Sequence, residues 1–200
     1  MQRLSRTLIQ LNLATREHHV AADTPWLGLL VPTVSKRLYV EHLIKVYGFE
    51  APLEAALRYT PGLSALVDLR SRIRSGLIVQ DLMRLGMGAG RIAALGQRFV
   101  TFSSTIEALG WMYVAERATL LHGAIRRYLT LRLPELERAS SYLSANDGVA
   151  GDRWSDLGNA LETVSHAPAA KHQLVRAAHQ GFLAFCGWFE GGTALRSVGT

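Results

Sequence analysis

LSRTLIQLNLATREHHVAADTP, residues 4–25, is the stretch on which the reading of the fold turns. Leu8, Leu11, Thr15, His18 or His19, and Ala22 recur there at three- and four-residue spacing, which lines them along one stripe of an α-helix. Asp23-Thr24-Pro25 is expected to end that helix, because a residue before proline is pushed out of helical conformation. The same period carries outward. Ser35 is placed to cap a second helix through Leu38, Leu43, Val46, Leu53 and Leu57, with a bend at Pro52. Thr60-Pro61 is expected to open a third helix, and Gly86, Gly88 and Gly90 to mark a loop. Ser104 and Glu107 have capping-box spacing and begin a long helical pattern reaching about Leu131, stopped by Pro134. Beyond a polar loop at 145–151, two more helices are expected near 154–165 and 168–189. There is no strand-like alternation, no internal repeat and no linker. The expectation is a single all-α domain over residues 1–192 with a short tail at 193–200, its neighbouring helices roughly antiparallel.

Composition supports a buried core: 48% of the 200 residues are hydrophobic and 19% charged. The one cysteine, Cys186, excludes an internal disulfide framework and paired-cysteine zinc sites, and it fits a reducing compartment. No apolar run approaches the ~20 residues of a membrane helix, and the first residues lack the pattern of a secretory signal. A cytoplasmic protein with no membrane partner is the expectation. Nineteen of the 22 basic residues are Arg, and the net charge of +6 favours anionic partners. The densest cluster, Arg70, Arg72 and Arg74, reads as a solvated face. No aromatic residues interleave with it as a stacking platform for bases would need, so nucleic acid is not expected as a partner.

Few residue patterns carry chemistry. His18 and His19 are adjacent on a helix and point about 100° apart, so one at most faces a given pocket. A neutral imidazole is a ligand for heme iron or zinc, although a lone helical histidine is more often structural. Asp23, four residues after His19, is either an orienting carboxylate or a surface partner. Glu50 and Glu54 share a helix face, but no Glu-x-x-His spacing supports a di-iron site. The glycines at 88 and 90 lack the preceding strand of a dinucleotide-binding turn. Cys186 sits among Phe182, Phe185, Trp188 and Phe189, an apolar setting that raises a thiol's pKa and makes it a poor nucleophile. Those aromatic residues could equally be core or the wall of a flat apolar ligand site.

Taken together, several segments resemble the bacterial heme oxygenases, especially the biliverdin-forming kind that accompanies phytochromes. Leu11-x-x-Ala14-Thr15-x-x-x-His19-x-x-x-Asp23 is similar to the family's proximal-helix motif. Tyr39 through Tyr47-Gly48-Phe49-x-x-Pro52-Leu53-Glu54-x-x-Leu57 resembles its second conserved stretch, and Asp81-Leu82-x-x-Leu85-Gly86 a further short signature. Trp154 with its helix, then Ala177-Ala178-x-x-x-Phe182-x-x-Phe185-x-x-Trp188, is similar to the family's ending. The resemblance runs in order over nearly the whole chain. It implies a helical fold holding heme between a proximal and a distal helix, with His19 as axial iron ligand. It also implies basic side chains on the propionates, and cleavage of heme by oxygen to biliverdin, carbon monoxide and iron. A bacteriophytochrome receiving the product, or an electron-donor protein, would be the implied protein partner.

One segment departs from the family. Its distal helix typically reads Tyr-Val-x-Glu-Gly-x-x-Leu-Gly-Gly, whose glycines let bare backbone lie against the heme. Here the run is Tyr113-Val114-Ala115-Glu116-Arg117-Ala118-Thr119-Leu120-Leu121-His122. By that alignment Arg117, Leu121 and His122 replace three glycines, which adds side-chain volume and favours an unbroken helix. The resulting expectation is a protein that binds heme or a related tetrapyrrole between His19 and the helix at 113–130, with oxygenase turnover lost or altered. Arg117, Leu121, His122, Phe182 and Phe185 would line the site, and His122 is the candidate second axial ligand. Two alternatives stay open: an active oxygenase with a shifted distal helix, and a non-catalytic interaction protein or metal-dependent oxidase on the same scaffold.

Overall fold

The computed structural model describes residues 5–191, and among them there is helix but no strand. The α-helices are α1 (Arg6–Ala14), α2 (His19–Leu27), α3 (Lys36–Tyr59), α4 (Ser75–Arg84), α5 (Ala89–Ala93), α6 (Thr105–Ala118), α7 (His122–Arg132), α8 (Ser141–Ser144), α9 (Ala150–Val164) and α10 (Pro168–Gly191). The fold class is therefore all-α, as the periodicity indicated. The tail expected at 193–200 lies outside the described residues. No described helix is long and apolar enough to cross a membrane.

The first stripe is two helices, not one. Thr15 ends α1, and its hydroxyl donates to the Leu11 carbonyl at 2.9 Å. This local bond competes with the helical ladder, and the 3-10 turn Arg16–His18 follows before α2 begins at His19. Pro25 does not stop the chain. It lies inside α2, which runs on to Leu27. The long pattern from Ser104 breaks in the same way. The Thr119 hydroxyl donates to the Glu116 carbonyl at 2.7 Å, and a 3-10 turn, Thr119–Leu121, separates α6 from α7. The helix expected to be unbroken is thus interrupted at Thr119–Leu121, within the run that departs from the resembled motif. Thr60 closes α3 instead of opening a helix; its hydroxyl donates to the Ala56 carbonyl at 2.8 Å, and only the 3-10 turn Leu63–Ala65 follows.

The capping residues fall where the sequence placed them. Ser35 Oγ accepts from the Leu38 amide, and Ser104 Oγ from the Glu107 amide, each at 3.2 Å. Glu107 reaches back one residue further than a capping box requires, to the Ser103 amide and hydroxyl, both at 2.8 Å.

The core is one continuous apolar cluster, drawn from nearly every helix. Its most extensive interface is α6 against α10. The two backbones meet at Gly110, where a Cβ would lie 2.6 Å from Ala177 Cβ and 2.9 Å from the Ala178 amide nitrogen. Only a residue without a side chain permits that approach.

The arginine cluster is the largest correction to the sequence reading. Arg72 and Arg74 are 6% and 4% exposed, not on a solvated face. Their charges are matched inside the fold, Arg72 Nη1 standing 3.3 Å and Arg74 Nη1 3.2 Å from the Glu116 carboxylate. Arg74 Nε lies 3.5 Å from Glu50, whose other oxygen accepts from the Tyr142 hydroxyl at 2.6 Å. Burial works against the Arg74 charge, yet the carboxylates of Glu50 and Glu116 hold its guanidinium above the ordinary arginine range. Glu54 accepts the Arg74 and Ser75 amides at 2.6 and 2.9 Å, neutralising orphan donors at the start of α4.

Candidate functional site

Helix α2 presents two opposite faces. His19, Asp23 and Trp26 recur at four and three residues and lie on one face, turned toward α6, α7 and α10. Ala21, Thr24, Pro25 and Gly28 lie on the other. The resemblance puts heme on the first face; the open cavity lies on the second.

On the first face His19 is half-buried, its ring 5.7 Å from that of Phe182. His19 Nε2 sits 3.4 Å from the Thr15 hydroxyl, which stands 3.3 Å from the Tyr113 hydroxyl; that hydroxyl accepts from Asn12 Nδ2 at 3.2 Å. Burial and then the Arg117 guanidinium hold the imidazole below its usual pKa. Arg117 reaches across from the last turn of α6. It binds Asp23 in bidentate fashion, with nitrogen–oxygen distances of 2.6 and 2.9 Å. This pair ties α2 to α6 one turn beyond His19.

The other predicted residues close the gap further. His122 is 1% exposed, its ring packed 4.9 Å from Trp26 and 4.8 Å from Tyr142. Neither ring nitrogen has a hydrogen-bond partner. Burial, followed by Arg74 and His42, keeps this imidazole neutral and its pKa well below the usual value. Leu121 is partly buried against the core, and Phe182 and Phe185 are fully inside it, 1% and 6% exposed. Phe182 touches the rings of His18, His19 and Tyr113; Phe185 packs on Phe49 and Phe189. His19 and His122 therefore do not face each other across an open slot. With Arg117 bound to Asp23 and Trp26 covering His122, these residues do not fit a heme between them.

On the second face a cavity of about 520 Å³ opens between α2, α3 and α10. Leu29, Leu38 and Phe189 give it apolar walls; Glu41, Lys45 and Glu190 supply charge, and His42 and Cys186 complete the lining. Lys45 Nζ donates to the Phe189 carbonyl at 2.6 Å and lies 5.9 Å from the centre of that ring, which leaves two of its donors for a ligand. Glu41 is paired with Arg37 at 2.8 Å. The His42 ring contacts Trp26 and Phe189, and burial, aided by Lys45, pushes its pKa down to about 3. Cys186 is half-buried, its thiol pushed up by burial and by Glu190, in keeping with an unreactive sulfur.

No protein-family model matches the chain, and no curated protein matches it either. Spacing singles out no role for Lys45, and it offers Glu41-His42 only as a pair upstream of Glu50 and Glu54. The signal was present for His42, which shares the stripe Tyr39, Leu43, Val46, Phe49, Leu53 of α3, where a polar residue must be buried.

Proposed function

We propose that this chain is a heme-oxygenase-like binding protein that takes a heme or related tetrapyrrole without cleaving it. The bidentate Arg117–Asp23 pair, which spans the place where the family leaves bare backbone, supports the absence of cleavage, and the cavity behind α2 is the observation that carries binding. A ligand shut out of that gap is offered the cavity behind α2, whose volume of about 520 Å³ is within the usual range for small-molecule sites. Its apolar walls suit a flat macrocycle, and the free donors of Lys45 suit a propionate.

The test is titration of the purified protein with hemin and with biliverdin, followed by reductant in air. Saturable binding is expected, with the macrocycle uncleaved. Ala21→Trp, which fills the cavity mouth, is expected to weaken binding by at least about tenfold, whereas His19→Ala leaves it unchanged. Biliverdin production by the wild-type protein that disappears in His19→Ala would overturn the reading. The 3-10 break at Thr119–Leu121 favours one second reading. It interrupts the helix at 113–130 without glycine, and an active oxygenase with a displaced distal helix would need such an interruption. That protein would give the overturning result.

A further inference from the structure

We infer that Glu17, His18 and His179 form a binding site for a divalent transition-metal ion of the zinc class, at the start of α2 beside its His19 face and away from the cavity on its second face. His18 Nε2 and His179 Nδ1 are 2.7 Å apart, and Glu17 Oε1 is 3.6 Å from each. The in-plane centre of these three atoms lies about 1.9 Å from each, so an ion at zinc bond lengths of ~2.0–2.1 Å sits just above that plane, with the two ring nitrogens moving apart from 2.7 Å to reach tetrahedral angles. Two imidazoles and one carboxylate are a donor set that such ions accept.

The donors come from two places in the fold. Glu17 and His18 belong to the 3-10 turn before α2, and His179 to the middle of α10. The His18 ring is held by stacking on Phe182, 5.5 Å between centres and 19° between planes. Phe182 stands three residues after His179 on α10, on the same side of that helix. The His18 ring is thus held by a buried aromatic ring before any ion arrives, and His179 is set against it edge-on, 4.9 Å between ring centres. The side chains of His18 and His179 are 17% and 29% exposed and that of Glu17 is 69% exposed, so solvent reaches the site. His179 also lines a shallow groove with Pro168, His172 and Arg176. A fourth, exchangeable position is left for water or an incoming ligand.

The site does not depend on tetrapyrrole binding, and the two ideas fail separately. The experiment uses the full chain without a polyhistidine tag, stripped by chelator and desalted, and titrated with zinc chloride against a chromophoric zinc indicator. One equivalent is expected to bind, and to raise the midpoint of thermal unfolding. Cobalt in place of zinc is expected to give the visible bands of a four-coordinate nitrogen and oxygen site. His179→Ala and Glu17→Gln are expected to weaken zinc by at least about 100-fold, while His19→Ala leaves it unchanged. Glu17 is exposed, so Glu17→Gln reads the site even if a histidine variant folds poorly. Zinc uptake by the wild type no greater than that of the His18→Ala/His179→Ala double variant would overturn the proposal. The two rings would then make an ordinary imidazole–imidazole hydrogen bond.

Discussion

Single buried imidazoles tie the stability of this protein to pH. His42 is enclosed by Trp26 and Phe189, with a pKa of about 3, whereas in the unfolded chain it protonates near 6.5. Between those values the unfolded state binds the extra proton, so the contribution is complete above about pH 6.5 and is lost as pH falls. From pH 7.5 to pH 5 the loss from His42 alone is about 2 kcal/mol. Urea unfolding at the two pH values should show a fall in stability smaller by that amount in His42→Phe than in wild type. Equal falls would refute the assignment. His122 acts with the same sign, so the variant keeps part of the dependence. At this scale the sequence was only partly legible. His42 and Glu50 stand on a stripe whose neighbours are apolar, and their burial could have been inferred. Arg72 and Arg74 gave no such signal: one ends a 3-10 turn and the other caps α4, outside any periodic stripe, and Glu116 is 42 residues from Arg74.

At the scale of elements, periodicity located the helices and threonine hydroxyls decided where several of them stop. Thr15, Thr60 and Thr119 each donate to a carbonyl three or four residues back, and each stands at a helix end. Helix propensity alone does not expose this, because the same bond also occurs inside helices: Thr24 and Thr130 make it without ending theirs. Glycine substitution was likewise an incomplete guide to the distal helix. The α-helix gives way to a 3-10 turn at Thr119–Leu121 although Arg117, Leu121 and His122 stand where the resemblance would put glycine. Where glycine does matter is Gly110. A Cβ there would meet backbone and the side chain of Ala177, none of which is the end of a flexible chain. Gly110→Val is expected to lose at least about 1–3 kcal/mol, an overpacking cost in a tight interface. Calorimetry should show a thermal midpoint lower by roughly 2–10 °C. An unchanged midpoint would mean that α6 and α10 are not in close contact.

For the whole molecule, the deciding contact joins parts of the chain 94 residues apart. Arg117 and Asp23 link α6 to α2, their side chains 13% and 21% exposed, so the pair is shielded enough to be worth more than a surface ion pair. Neither residue announces the other in the sequence. Asp23 read as an orienter of His19 or a surface carboxylate, and Arg117 as added bulk, and the fold was needed to bring them together. A double-mutant cycle with Arg117→Ala and Asp23→Asn should give a coupling energy of about 1–2 kcal/mol. Amides of α2 should exchange faster in either single variant, while those of α9, which packs against α1 and α6, keep their protection. A coupling near zero would mean that the gap beside His19 is already free to open. The proximal and distal helices would then be separate bodies, and a ligand could enter on the His19 face. A coupling of the expected size means that entry on that face costs the pair, whereas entry through the cavity behind α2 leaves it intact. The Arg117–Asp23 pair stands in the gap beside His19 and outside the lining of the cavity behind α2, so it bars one face and leaves the other open.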